Sequence, residues 1–194
     1  YQIPGKHFES PSERPMQLSD YLAYRGVAIN DPAMTTWGSS PIVVDDRYYL
    51  FTARWPSELG VTPGWRSHSE IARFSSDSPL GPFEYEETVL AGTGVDGSWE
   101  AFAPHNPTIK RFDGTFALFY IARTDPSDNS TQRIGLATAP SITGPWTRRD
   151  APILSPSDSP DNWTHASPVG VTNPAPLRHP DGRYFLYFLS LIHI

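Results

Sequence analysis

Ser40-Pro41-Ile42-Val43-Val44, Asn106-Pro107-Thr108-Ile109-Lys110 and Asn173-Pro174-Ala175-Pro176-Leu177 set three prolines 66 and 67 residues apart. Recurrence at a fixed spacing along a 194-residue chain marks a repeat architecture. Each segment runs into a turn, Asp45-Asp46-Arg47, Asp113-Gly114-Thr115 or Asp181-Gly182-Arg183. Asp and Gly there supply the side-chain bonding and positive φ of tight hairpins. Aromatic-rich runs of strand length follow at 48–53, 115–122 and 184–189, and third strands are predicted at 69–74 and 132–137. Matched turns then read Leu80-Gly81-Pro82-Phe83 and Thr143-Gly144-Pro145-Trp146, their glycines 63 residues apart, and lead into fourth strands at 83–86 and 146–149.

Four antiparallel strands per period of about 65 residues is the blade of a β-propeller, whereas a sandwich domain runs nearer 100 residues. The expected class is therefore all-β. Residues 1–34 form an N-terminal extension, 35–95 and 96–160 two full repeats, and 161–194 a third that stops after its second strand. About two and a half blades are present. An open arc exposes an apolar blade face and unpaired strand edges. The expectation is that the chain is either a fragment or one half of a homodimer, since two copies supply five blades.

Composition agrees. Twenty-one prolines and fourteen glycines punctuate many short elements, and six Trp, nine Tyr and ten Phe favour strands. A net charge of −6 without a basic run offers no grip on a phosphate backbone, so nucleic acid is not an expected partner. No cysteine is present to form disulfides or thiolate metal sites. No apolar run reaches bilayer-crossing length, so a soluble chain without a membrane partner is expected. The start at Tyr1 leaves localisation unassigned. Zincin, phosphate-loop and nucleophile-elbow patterns are missing, and no metal or cofactor is predicted.

In a propeller the innermost strands line a central channel, and the residues just before them face a funnel at one end. The segments upstream of the repeat prolines carry Trp37, Ser40, Trp99, Glu100, His105, Asn106, Trp163, His165 and Asn173. Aromatic faces stack on the apolar side of a sugar ring while amides, imidazoles and carboxylates bond its hydroxyls, so an oligosaccharide or polysaccharide is the predicted ligand. Trp37, Ser40, His68, Trp99, Asn106, His165 and Asn173 are the candidate substrate-binding residues. For the tryptophans the competing reading is blade packing, because repetition itself favours a structural job.

Trp37-Gly38-Ser39-Ser40-Pro41, the run 48–56, Gly64-Trp65-Arg66-Ser67-His68-Ser69-Glu70-Ile71, His105-Asn106-Pro107 and Ser141-Ile142-Thr143-Gly144-Pro145-Trp146 together resemble glycoside hydrolase family 43, with a looser likeness to family 117. The resemblance covers most of 35–190. It implies a five-bladed propeller that hydrolyses O-glycosidic bonds in plant or algal glycans, in the manner of arabinofuranosidases and xylosidases. It also implies a carboxylate base in the first blade and a carboxylic acid in the third, because one group must protonate the leaving oxygen while another activates water. Here Ser40-Pro41 stands where an Asp-Pro is expected, and Asn173-Pro174 where the acid is expected. The candidate catalytic groups are accordingly Glu100 or Asp31 as base and Glu70 or His105 as acid, with His68 and His165 behind them. A propeller that binds glycans without cleaving them is the alternative expectation.

Overall fold

A computed structural model describes residues 23–190; the first 22 residues of the N-terminal extension and the last four of the chain lie outside the described residues. Two four-stranded antiparallel sheets follow one another, each a meander. The first is β1 (Met34–Val44), β2 (Arg47–Pro56), β3 (Glu70–Ser76) and β4 (Glu84–Leu90), paired in that order. The second is β5 (Phe102–Phe112), β6 (Thr115–Arg123), β7 (Gln132–Ala139) and β8 (Thr147–Arg148). A two-stranded sheet, β9 (Thr172–Arg178) and β10 (Tyr184–Leu189), comes third. The chain has the all-β propeller fold.

The hairpin chemistry read from the sequence is realised. Asp45 and Asp46 take φ of 49° and 61°, and Asp113-Gly114 takes 49° and 87°, the left-handed pairs of a two-residue hairpin that follows strand twist. The third hairpin turns at Gly182 (φ 88°), with Asp181 Oδ1 accepting from Arg183 N. Gly81-Pro82 and Gly144-Pro145 occupy matched turns, and both peptides are cis.

Inner strands β1, β5 and β9 lie side by side and are stitched by polar bonds between blades. Ser40 Oγ accepts from Ile109 N at 3.1 Å, and Thr108 Oγ1 donates to the Pro174 carbonyl at 2.7 Å. Between the first two sheets sits the core, built from Phe51, Ile71, Leu90, Ile109, Leu118 and Tyr120, with Trp146 edge-on to Phe51. Strand β6 is covered on both faces, as its unbroken apolar run from Phe116 to Ala122 demands, and β2 is buried across Phe51, Thr52 and Ala53. Strand β10 has an equally aromatic sequence, yet Tyr184, Phe185, Tyr187 and Leu189 are exposed, and among the described residues no strand pairs with its outer edge.

Trp99 stacks on Tyr120 with centroids 5.9 Å apart, and Trp163 stacks on Phe188 at 5.3 Å. Both pairs join the loop before an inner strand to the strand that follows it, a repeated packing element. Gly135 lies beneath the first stack, where an added Cβ would come within 2.4 Å of Trp99 and 2.6 Å of the Tyr120 ring. Gly135→Val is therefore expected to lower stability by about 3 kcal/mol through overpacking, read as a fall in the urea midpoint at unchanged slope.

Candidate functional site

At the starts of the inner strands the ladders break. Register shifts occur between Trp37 and Ser40 in β1, and between Phe102, His105 and Thr108 in β5. Left-handed backbone marks the same places: Gly38 (φ 64°), Ala103 (51°), Asn106 (45°) and Asn173 (51°). The repeat prolines cannot donate to a ladder, and asparagine tolerates the left-handed region, so Asn-Pro is a local instruction to bulge. These bulges bring side chains of β1, β5 and β9 to one cavity. Asn106 Nδ2 then donates to Asn173 Oδ1 at 2.6 Å. Gly38 gives that pair room, since a Cβ there would lie 2.8 Å from Asn106 Oδ1.

Together the bulges shape a cavity of about 260 Å³. Its aromatic wall is a corner formed by Trp37 and Trp65, edge-on with centroids 5.9 Å apart. Trp55 backs Trp37 at 5.9 Å and is fixed by donating its indole N–H to the Gly60 carbonyl. Trp65 comes from a wide helical turn, Gly64–His68, inserted between β2 and β3. Asn106, Asn173 and Thr172 form the rim, and His105, Asn129 and Gln132 the floor.

His105 is the titratable group in this lining, and it is buried. Burial and the nearby Arg123 guanidinium push its pKa down to about 4, so the ring is neutral at pH 7. Nδ1 lies 2.7 Å from the Ala103 carbonyl; a neutral ring must donate its N–H there, which leaves Nε2 as an acceptor. Arg123 is fully buried behind the floor, with its guanidinium carbon 4.4 Å from the Trp65 ring centroid. It donates to Asn129 Oδ1 at 2.9 Å and Gln132 Oε1 at 3.0 Å. Gln132 Nε2 in turn donates to the Val169 carbonyl. Burial and the like charge of Arg66 lower the Arg123 pKa to about 10, which keeps it cationic at neutral pH.

Of the residues singled out in the sequence, the cavity brings together Trp37, His105, Asn106 and Asn173. The others sit elsewhere. Glu100 is buried on the flank beneath Trp99, accepting from Tyr120 Oη at 2.7 Å and Arg148 Nη1 at 3.2 Å. Glu70 accepts from Arg54 and from Thr88 Oγ1, each at 2.8 Å. Asp31 closes an Asx turn onto Ala33 N where the chain enters β1. Ser40 is spent on the blade stitch, and Trp99 on its stack and on the Asp150 carbonyl. His68 is exposed and bonded to Ser67, while His165 borders a separate polar depression with Arg133 and Ser157. Among the described residues no carboxylate lines the cavity.

Trp65, Arg123, Asn129 and Gln132 were not singled out as site residues. A signal existed for Trp65: the connection between second and third strands is longer in the first blade than in the second. An insertion present in one repeat only is where function gathers. Arg123 and Gln132 carried no such mark, since each ends or begins an ordinary strand.

No family model matches the sequence, and no curated protein does. Solved structures do. A family 117 glycoside hydrolase from the marine bacterium Zobellia galactanivorans aligns at 20% identity with a TM-score of 0.65, over 82% of this chain and 49% of that one. A family 43 β-xylosidase/α-arabinofuranosidase from a compost metagenome, crystallised with xylotriose, aligns at 20% identity and a TM-score of 0.58, over 84% and 45%. A family 43 enzyme from Xanthomonas citri in complex with xylose gives 19% identity and 0.55, over 78% and 39%. The fold is thus that of the family 43 and 117 propeller glycoside hydrolases, and the chain spans about half or less of the length of each.

Proposed function

We propose that this chain carries the glycan-binding cavity of a glycoside hydrolase, with a sugar ring seated against the Trp37–Trp65 corner. The observation that carries the reading is the convergence, where the bulged ends of three inner strands meet the Gly64–His68 turn, of two indoles, two paired asparagines and a neutral histidine. Indole faces suit the apolar face of a sugar, and the amides suit its hydroxyls. In this reading His105 takes part through Nε2. The ring is neutral at pH 7 and its one N–H is committed to the Ala103 carbonyl, so it acts through Nε2 as a base or acceptor rather than as the acid expected from sequence. Pentoside or galactoside units of plant or algal glycans are the substrates proposed.

A second reading, glycan binding without hydrolysis, is favoured by the lack of a carboxylate among the described lining residues. Titration calorimetry with xylotriose and galactotriose, run beside hydrolysis of aryl xyloside, arabinofuranoside and galactoside, separates the two. Binding with turnover that His105→Asn removes supports the hydrolase; binding without product supports the second reading; no binding by any of these removes both. Trp65→Ala is expected to weaken binding by roughly tenfold, the loss of one aromatic face. For assembly, the aromatic β9–β10 face is where a second copy would complete the ring. A dimer mass by light scattering supports that arrangement, and a monomer at micromolar concentration removes it.

A further inference from the structure

We infer that the cavity selects a sugar bearing an anionic group, a carboxylate or a sulfate ester, over its neutral counterpart. The inference rests on the proposed glycan site and adds the charge of its ligand. Two arginines flank the Trp65 ring, Arg123 at 4.4 Å and Arg66 at 5.3 Å from its centroid, close enough for each guanidinium to feel the other's charge. Each has a buried Nε with no hydrogen-bond partner. Among the described residues neither has a carboxylate within 4 Å, which is equally true of Arg111, Arg133 and Arg149, but Arg66 and Arg123 are the two set against Trp65 of the cavity wall. Asp125 and Asp128 reach Arg123 only at longer range. Two like charges held together, offset only by those more distant carboxylates, carry an electrostatic cost that an arriving anion relieves.

The floor is polarised in the same sense. Arg123 takes the side-chain oxygens of both Asn129 and Gln132, and Asn106 takes that of Asn173. Gln132 spends its amide hydrogens on the Val169 and Asn129 carbonyls. The amide groups of Asn129 and Asn173 remain as donors in the lining, with no partner among the described residues. Beside the acceptor Nε2 of His105, these donors stand in front of guanidinium charge that only distant carboxylates offset, with no carboxylate among the described lining residues, and form an anion-accepting surface. A neutral sugar uses the donors alone. Arg123, being buried, acts through its field and by fixing the amides, while the less buried Arg66 is the better point of attack.

The test is titration of the protein with matched probes: xylotriose against xylotriose carrying a glucuronate branch, and galactotriose against trigalacturonate and monosulfated galactotriose, in 20 mM and 200 mM salt. At least one anionic probe is expected to bind tenfold or more tightly than its neutral partner, and the advantage is expected to shrink at the higher salt. Arg66→Gln is expected to remove most of that advantage, weakening the anionic probe several-fold more than its neutral partner. A uronate preference and a sulfate preference tell the two sources of negative charge apart. Equal affinity for neutral and anionic probes, or an advantage untouched by Arg66→Gln, overturns the inference and leaves the glycan site standing. No binding of any probe overturns both.

Discussion

Lowering the pH from 6.5 to 4 is expected to strip about 3 kcal/mol from the stability of the native protein, and His105→Asn is expected to flatten that slope. The sign follows from linkage. An unfolded histidine takes up its proton near pH 6.5, whereas in the native fold His105 resists protonation down to about pH 4 because it is desolvated and faces Arg123. Between those values the unfolded chain binds more protons, so stability is fully present above pH 6.5 and is lost as the pH falls through the window. Asparagine has no such proton to bind, and its amide can keep the bond to the Ala103 carbonyl. Urea midpoints from pH 4 to 7.5 check this. A slope equally steep in the variant would show that His105 is not the buried neutral ring described above.

Arg148→Met is expected to destabilise the protein by about 2 kcal/mol while leaving glycan affinity unchanged. The substitution strands the buried Glu100 carboxylate with Tyr120 Oη as its remaining bonded partner. Removing one member of a wholly buried pair has a larger effect; the figure is discounted because the Arg148 side chain retains 28% exposure. Adding Glu100→Gln is expected to recover part of the loss, because the neutral amide needs no counter-charge. The pair also decides the role of Glu100. Turnover abolished by Glu100→Gln in a protein of undiminished stability would make Glu100 a catalytic group and displace the structural role that Tyr120 and Arg148 give it.

The blade repeat was legible because its signals are local. Asp-Gly and Asp-Asp turns, Gly-Pro turns and aromatic strand runs each act within a few residues, and their spacing needs no knowledge of the tertiary fold. The Asn-Pro positions were legible for the same reason: a proline without a donor and an asparagine that tolerates positive φ bulge the strand wherever they fall. Glu100 and Glu70 were not legible. Their partners lie far along the chain, Tyr120 and Arg148 at separations of 20 and 48 residues for one and Arg54 and Thr88 at 16 and 18 for the other. A carboxylate beside a tryptophan in a funnel loop reads identically whether it faces the channel or the blade next to it. Arg123 was hidden more deeply, because only the packed structure reveals that it is buried with no carboxylate within 4 Å among the described residues.

The most direct test of the glycan site is a crystal structure of the protein with the tightest-binding oligosaccharide from the titrations. A sugar ring packed on the Trp37–Trp65 corner, with hydroxyls on Asn106, Asn173 and His105 Nε2, is the predicted result. A sugar seated on the Trp99–Glu100 flank or in the depression beside His165, with the Trp65 cavity empty, would contradict the account.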